Sequence, residues 1–245
     1  MPATHHGGSP SIARPDYWWY TARAELLRTV MAPYVGAAGR ILDVGSADGP
    51  SVGWLEGSRR TCVDVDIRGL GPGDVCASAT SLPFADDTFD VVSAFDVIEH
   101  IEPESAVVDE LARVLRPGGR LLVSVPAYNW AWSDHDTVNG HHRRYTRGRL
   151  VAAVERAGFK VERATYAFAG VFPFFAAERL LRRARGRFTD SASGPEDVVT
   201  LPRTPAMVDR AMGRLSRLDQ RWLAHRDLPV GSSVLVAATR ATGAR

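Results

Sequence analysis

Residues 41–49 read ILDVGSADG. Ile41-Leu42-Asp43-Val44 is a short apolar run carrying one acid, and Gly45 to Gly49 form a turn of small residues. Small residues let a ligand come close to the backbone. In open α/β sheets the crevice beyond the carboxyl ends of the strands is where ligands bind. The G-x-G-x-x-G spacing of dinucleotide folds is absent, which argues against a nicotinamide dehydrogenase.

The pattern extends in both directions from this turn. Upstream, residues 16–35 carry apolar side chains at helical spacing, with Asp16 placed as N-cap and Pro33 as stop. Downstream, TCVDVD (61–66), FDVVSAFDVIEH (89–100), RLLVSVP (120–126) and KVERATYAF (160–168) are apolar runs that read as strands. Residues 105–119 read as an amphipathic helix closed by Pro117-Gly118-Gly119. A second helix runs from Thr146, its cap, to Gly158. Strands alternating with helices indicate βαβ units and a parallel sheet. Near-continuous apolar strands suit burial on both faces. Residues 168–230 break the rhythm: VFPFF leads into an arginine run at 179–187, a polar loop follows, and a helical pattern covers 205–227. LPVGSSVLVAATR (228–240) closes the chain as a strand.

The whole composition bounds the reading. The chain has 245 residues, 45% hydrophobic and 24% charged, so it is neither disordered nor fibrous. The length fits one large domain, or a domain and a cap. A formal net charge of +2 gives no broad attraction for nucleic acid. Lys160 is the one lysine, so arginine carries the basic side. Cys62 and Cys76 match no zinc spacing and suggest a reducing compartment. Residues 1–15 read as a flexible arm without the pattern of a signal peptide. No apolar stretch reaches the roughly 18–20 residues of a membrane span. A cytoplasmic protein is expected.

Taken in order, ILDVGSADG, the acid Asp64 at the next strand end, SLPFADDTFDVV, DVIEH and LRPGG resemble the class I S-adenosylmethionine-dependent methyltransferases. Within them the likeness is to small-molecule enzymes such as the ubiquinone-biosynthesis O-methyltransferases. It covers roughly residues 17–166 and the last strand. It implies a Rossmann-like α/β fold: seven strands, mostly parallel, helices on both faces, the last strand antiparallel beside KVERATYAF. The core would be 16–167 plus 231–241, with 168–230 a helical cap over the acceptor.

The resemblance also implies a cofactor, S-adenosyl-L-methionine, and residues to hold it. Asp43, Gly45, Ser46, Ala47 and Gly49 match the loop around its methionine part. Asp64, with Val65, matches the ribose-binding position, where an acid accepts both hydroxyls. Ala79 and Thr80 match the adenine-flanking segment. Phe95 and Asp96 match the strand end under the reacting methyl. Arg23, in a helix that covers the cofactor in relatives, is placed to pair with its carboxylate. Two positions depart from the pattern: Ala47 replaces a glycine, and Ser78 replaces an acid near adenine. Asp96-x-x-Glu99-His100 resembles a divalent-cation site of the ubiquinone-type enzymes, yet no metal is assigned from the sequence.

Methyl transfer from a sulfonium is an in-line displacement, aided by a base when the acceptor is a hydroxyl. Histidine is the side chain most readily tuned to neutral pH. His100 follows the DVIE turn, and His135, His141 and His142 follow the next strand. His100, His135 and His141 are taken as the catalytic set. The expected acceptor is a small or amphipathic metabolite, lipid-linked included, methylated on oxygen, with nitrogen and carbon as alternatives. A non-catalytic interaction module on the same fold is the other reading. Residues 171–187 are a candidate for peripheral membrane contact. No nucleic-acid partner is expected, since no Asn-Pro-Pro-Tyr type element is there to grip a flipped base.

Overall fold

Strand β1 (Arg40–Val44) is buried from Ile41 to Val44, and β4 (Phe89–Phe95) is buried everywhere except Asp90. Strands of this kind belong inside a sheet covered on both sides. The computed structural model describes residues 17–45, 52–55, 59–184 and 205–242. The further elements are α1 (Trp18–Val35), β2 (Arg59–Asp64), β3 (Val75–Cys76), α2 (Glu104–Val114), β5 (Leu115–Pro126), α3 (Asp134–Val138) and α4 (Arg147–Arg156). They continue with β6 (Phe159–Ala167), α5 (Phe172–Ala184), α6 (Ala206–Leu223) and β7 (Ser233–Arg240).

The seven strands form one sheet in the order β3-β2-β1-β4-β5-β7-β6. All pairs are parallel except those of β7, which runs antiparallel to both β5 and β6. This is the Rossmann-like sheet implied by the sequence, with its last strand antiparallel to β6 and inserted between β5 and β6. From β1 the chain moves to β2 on one side, whereas from β4 it moves to β5 on the other. The crevice for a ligand therefore lies beyond Val44 and Phe95, at the reversal point. Residues Ser46, Ala47 and Gly49, placed in that loop by the sequence, lie outside the described residues, as do Asp16 and the arm at 1–15.

Two boundaries differ from the sequence reading. Pro33 does not stop α1; it sits in its last turns, and the helix ends at Gly36, which takes φ 60°. Pro117-Gly118-Gly119 is a bulge within β5 rather than a helix-closing turn. Phe89 pairs with Leu115 but Val91 pairs with Arg120, so residues 116–119 loop out beside Asp90. A Cβ on Gly119 would stand 3.0 Å from the Asp90 carbonyl and 2.8 Å from that of Arg116, which is why glycine is needed there. The other expected signals are present. The Thr146 hydroxyl accepts from the Arg149 amide and starts α4. Cys62 and Cys76 are free thiols. No helix among the described residues is long and apolar enough to cross a membrane.

Asp90 ties the bulge to the start of β1. Its Oδ2 accepts from the Gly39 and Arg40 amides, each at 2.8 Å, and its Oδ1 from Arg116 Nε at 2.6 Å. The Arg116 guanidinium, then the Arg40 amide, hold the carboxyl below its ordinary value. A depressed folded value gives stability that is present above the ordinary carboxylate range and lost as pH falls through the folded value. Asp90→Ala is expected to cost about 1–2 kcal/mol in urea unfolding at neutral pH, the lower part of the charged hydrogen-bond range because solvent reaches this rim. The gap from wild type should close in acid; a gap unchanged down to acid unfolding would contradict the role.

Candidate functional site

The site begins where β1 meets β4. Their register sets Asp43 opposite Ser93. Asp43 is fully buried, and the Ser93 hydroxyl donates to its Oδ1 at 2.6 Å. Gly45 follows, with its amide donating to the Val63 carbonyl at 2.7 Å. Its φ is +76°, and a Cβ there would lie 2.4 Å from Val97 Cγ2. The chain leaving β1 thus passes hard against the chain leaving β4, and only glycine fits.

On the next strand Asp64 is half-buried, and its Oδ1 accepts from the Asp66 amide at 2.9 Å. Beside it Val65 is exposed, as is Ile67. Ala79 is buried, and the neighbouring Thr80 hydroxyl meets that of Ser78 at 2.9 Å. Phe95 is buried, with its ring 6.3 Å from that of Trp54.

Asp96 turns the chain with φ 59°, a left-handed conformation that aspartate tolerates. Its carboxylate is held from two sides. Arg23 Nη2 lies 3.0 Å from Oδ2, and the Ser124 hydroxyl donates to Oδ1 at 3.1 Å. Arg23 also donates to Ser124 Oγ at 3.1 Å, closing a triangle across α1, β4 and β5. Arg23 is buried on the same helical face as Leu26, Leu27 and Val30. Its partner within the chain is Asp96, while the cofactor carboxylate implied by the resemblance stays an expectation.

Glu99 lies in the short turn Ile98–His100 and is fully buried. Neither carboxylate oxygen has a hydrogen-bond partner among the described residues, apart from an electrostatic contact with its own backbone amide. Burial first, and then Asp96, push its carboxyl well above the ordinary range, against opposing pulls from Arg23 and Arg144.

Over Glu99 stand the histidines. The His100 and His141 rings meet edge to face at 4.4 Å, and His135 lies 6.4 Å from His141. The structure thus brings together all three histidines singled out in the sequence. His142 turns away to Glu102, at 3.4 Å. Desolvation, followed by its neighbour His141, lowers the His100 value, even though part of the residue reaches solvent. Desolvation likewise lowers His135, with Asp136 opposing.

Asp136 organises the cluster. It is fully buried, and its Oδ1 faces His141 Nδ1 at 2.8 Å. Arg144 forks onto it, with Nε at 2.7 Å and Nη2 at 2.9 Å, and the Ser133 amide donates at 2.8 Å. Burial alone would raise this carboxyl; His141 and Arg144 together drive it far below the ordinary range. An ionised carboxylate only accepts, so the bond is made by the tautomer of His141 that carries a proton on Nδ1. Asp136 stands in the sequence among the titratable residues of the 132–146 stretch, but its role in holding His141 and Arg144 does not show there, although Ser133-x-x-Asp136 has capping-box-like spacing. Ser93, Ser124 and the burial of Glu99 carried no signal of their own.

Glu99, His100 and His141 place one ligand atom each within 4.8 Å of one another. An unpartnered buried carboxylate beside two imidazoles fits a divalent cation. Asp96 is not in this group, and its two oxygens meet Arg23 and Ser124. A separate cavity of about 410 Å³, lined by Pro103, Glu104, Val108 and Arg156 among others, shares no residue with this site.

A methyltransferase domain family matches residues 18–164, well over half the chain. The chain belongs to the class I S-adenosylmethionine-dependent methyltransferase family. It is 31% identical over 175 residues to a Mycolicibacterium smegmatis protein named "Probable S-adenosylmethionine-dependent methyltransferase", covering 66% of this chain and 66% of that protein. It is 35% identical over 116 residues to the demethylmenaquinone methyltransferase of Mycobacterium marinum, covering 44% of this chain and 48% of that one. The chain therefore spans less than two thirds of the length of these curated relatives. Among solved structures the cyclase SpnF shares the fold, with a TM-score of 0.58 and 22% identity, covering 98% of this chain and 88% of that one.

Gly45→Ala is expected to destabilise the protein by about 1–3 kcal/mol in chemical unfolding, through the left-handed φ and the Val97 contact. Val97→Ala should recover the contact part and leave the φ part. A cost below about 0.5 kcal/mol would show that the strand ends are not held this close.

Proposed function

We propose that this protein transfers the methyl group of S-adenosylmethionine to an oxygen of a small organic or amphipathic acceptor. The reading rests chiefly on one observation: three imidazoles converge beyond the β4 end, next to the reversal crevice. The crevice supplies the cofactor site. Gly45 gives the methionine part room along the backbone, together with Ser46, Ala47 and Gly49. Asp64 accepts the ribose hydroxyls beside Val65, and Ala79 and Thr80 flank the adenine. Phe95 and Asp96 border the reacting methyl. Arg23 acts through Asp96, fixing the carboxylate that would otherwise repel Glu99 from variable positions.

The acceptor enters from the side of His100, His135 and His141. An in-line displacement needs the acceptor atom aligned behind the methyl, and this alignment is the larger share of the protein's work. A neutral imidazole then takes the hydroxyl proton as the bond to carbon forms. Of the cap expected at 168–230, the described helix α5 reaches this side, where Arg144 stands over the Phe175 ring. The helix exposes Phe174, Leu180 and Leu181, a surface suited to a lipid-linked acceptor or to the edge of a membrane.

Calorimetry should show binding of S-adenosylmethionine and of S-adenosylhomocysteine. Asp64→Ala should weaken both by roughly tenfold or more, the worth of two charge-assisted hydrogen bonds. Absence of binding by wild-type protein would overturn the reading in favour of an interaction module. With a labelled methyl group and a panel of hydroxylated metabolites, His135→Gln should cut turnover about a hundredfold while cofactor affinity holds. Methylated amines or carbons as sole products would move the acceptor atom. Co-sedimentation with anionic vesicles should be lost in a Leu180→Asp, Leu181→Asp double variant; no wild-type co-sedimentation would remove the membrane contact.

A further inference from the structure

Glu99 sets a problem of charge that the rest of the site leaves open. A carboxylate withdrawn from water needs a counter-charge or a donor. Arg23 is spent on Asp96 and Ser124, and Arg144 on Asp136. Among the described residues both Glu99 oxygens lack a hydrogen-bond partner apart from the contact with the Glu99 backbone, and ligand atoms of two imidazoles lie within 4.8 Å.

The imidazoles are arranged for a further bond. His141 Nδ1 faces the buried Asp136 carboxylate at 2.8 Å, and the tautomer that donates this hydrogen bond presents Nε2 as its ligand atom. The backbone of Asn139 hydrogen-bonds the His100 ring. Histidines that ligate metals commonly anchor their second nitrogen to a carboxylate or a backbone carbonyl in this way. Asp136 is in turn fixed by Arg144 and by the Ser133 amide, so the anchor is rigid.

We infer that Glu99, His100 and His141 form a binding site for one divalent transition-metal ion, with Asp136 orienting His141. The donor set differs from Asp96-x-x-Glu99-His100, the divalent-site likeness in the sequence. The second acid is replaced by an imidazole contributed from beyond β5. That change moves the preference from magnesium toward zinc or iron(II), since imidazole suits these ions and magnesium favours oxygen. Bound there, an ion supplies Lewis acidity toward an acceptor oxygen. His135 stays outside the set and remains the imidazole that takes the proton. The inference thus deepens the methyl-transfer reading at the same site, while the binding of the ion stands independently of it.

The test uses the full chain stripped with chelator, without cofactor or acceptor. Cobalt(II) chloride is titrated while visible absorption is read, and zinc chloride is titrated in a calorimeter. One ion per chain is expected, with a cobalt spectrum of nitrogen and oxygen ligation. Glu99→Gln and His141→Gln should each weaken this binding at least tenfold, and Asp136→Asn by roughly 10–100-fold. His142→Ala and Asp96→Asn should retain it. An ion held elsewhere on the chain is recognised by its indifference to all five substitutions. Thermal melting guards against misfolding: zinc should raise the melting temperature of wild type but not of Glu99→Gln, which keeps shape and removes only the charge. No saturable ion, or binding untouched by Glu99→Gln and His141→Gln, overturns the site. S-adenosylhomocysteine binding without ion binding removes only the metal site. Ion binding without S-adenosylhomocysteine binding removes only the methyl-transfer reading.

Discussion

Strands β1 and β4 run side by side in parallel, and the chain leaves them toward opposite sides of the sheet. Everything at the site depends on how closely these two strand ends approach. The contact between position 45 and Val97 forbids any side chain on one of them. The same register sets Ser93 against Asp43, so the buried acid of β1 is satisfied by a hydroxyl of β4. An acid buried without that hydroxyl would cost about 1–3 kcal/mol or more. Closeness also opens the crevice, because loops that part at one point cannot cover it.

The end of β4 carries the second constraint. Asp96 and Glu99 are three residues apart and the chain turns sharply between them. The left-handed residue at 96 sends one carboxylate toward α1, where Arg23 and Ser124 receive it. The turn Ile98–His100 then buries Glu99 beneath the histidines. Two nearby acids thus have opposite environments, one charge-paired and one desolvated. Such division of environments is how a fold gives chemically similar groups different work. The histidines form the other wall, and the Asp136–Arg144 pair gives that wall its rigidity.

The strands other than the two-residue β3 could be read from the chain in their order of appearance, because buried strands leave apolar runs. The antiparallel last strand followed from the resemblance and lies beside β6. The strand-end residues Asp43, Gly45 and Asp64 also stood out, because acid or glycine at a strand end is conspicuous. What stayed hidden depends on distance in sequence. Arg23, Asp96 and Ser124 meet from three elements, and no local pattern links them. Glu99 stands out beside His100 in the sequence, but its full burial appears only once the turn folds it inward. Pro117-Gly118-Gly119 has the composition of a helix stop, and only pairing with β4 makes it a bulge.

A crystal structure with S-adenosylhomocysteine would test the placement of function in the β1–β4 crevice most directly. The ribose hydroxyls are expected on the Asp64 carboxylate, with the amino-acid part along Gly45 and the sulfur facing the His100–His141 side. A ligand lodged elsewhere, or a ribose turned away from Asp64 in an otherwise unchanged fold, would contradict it.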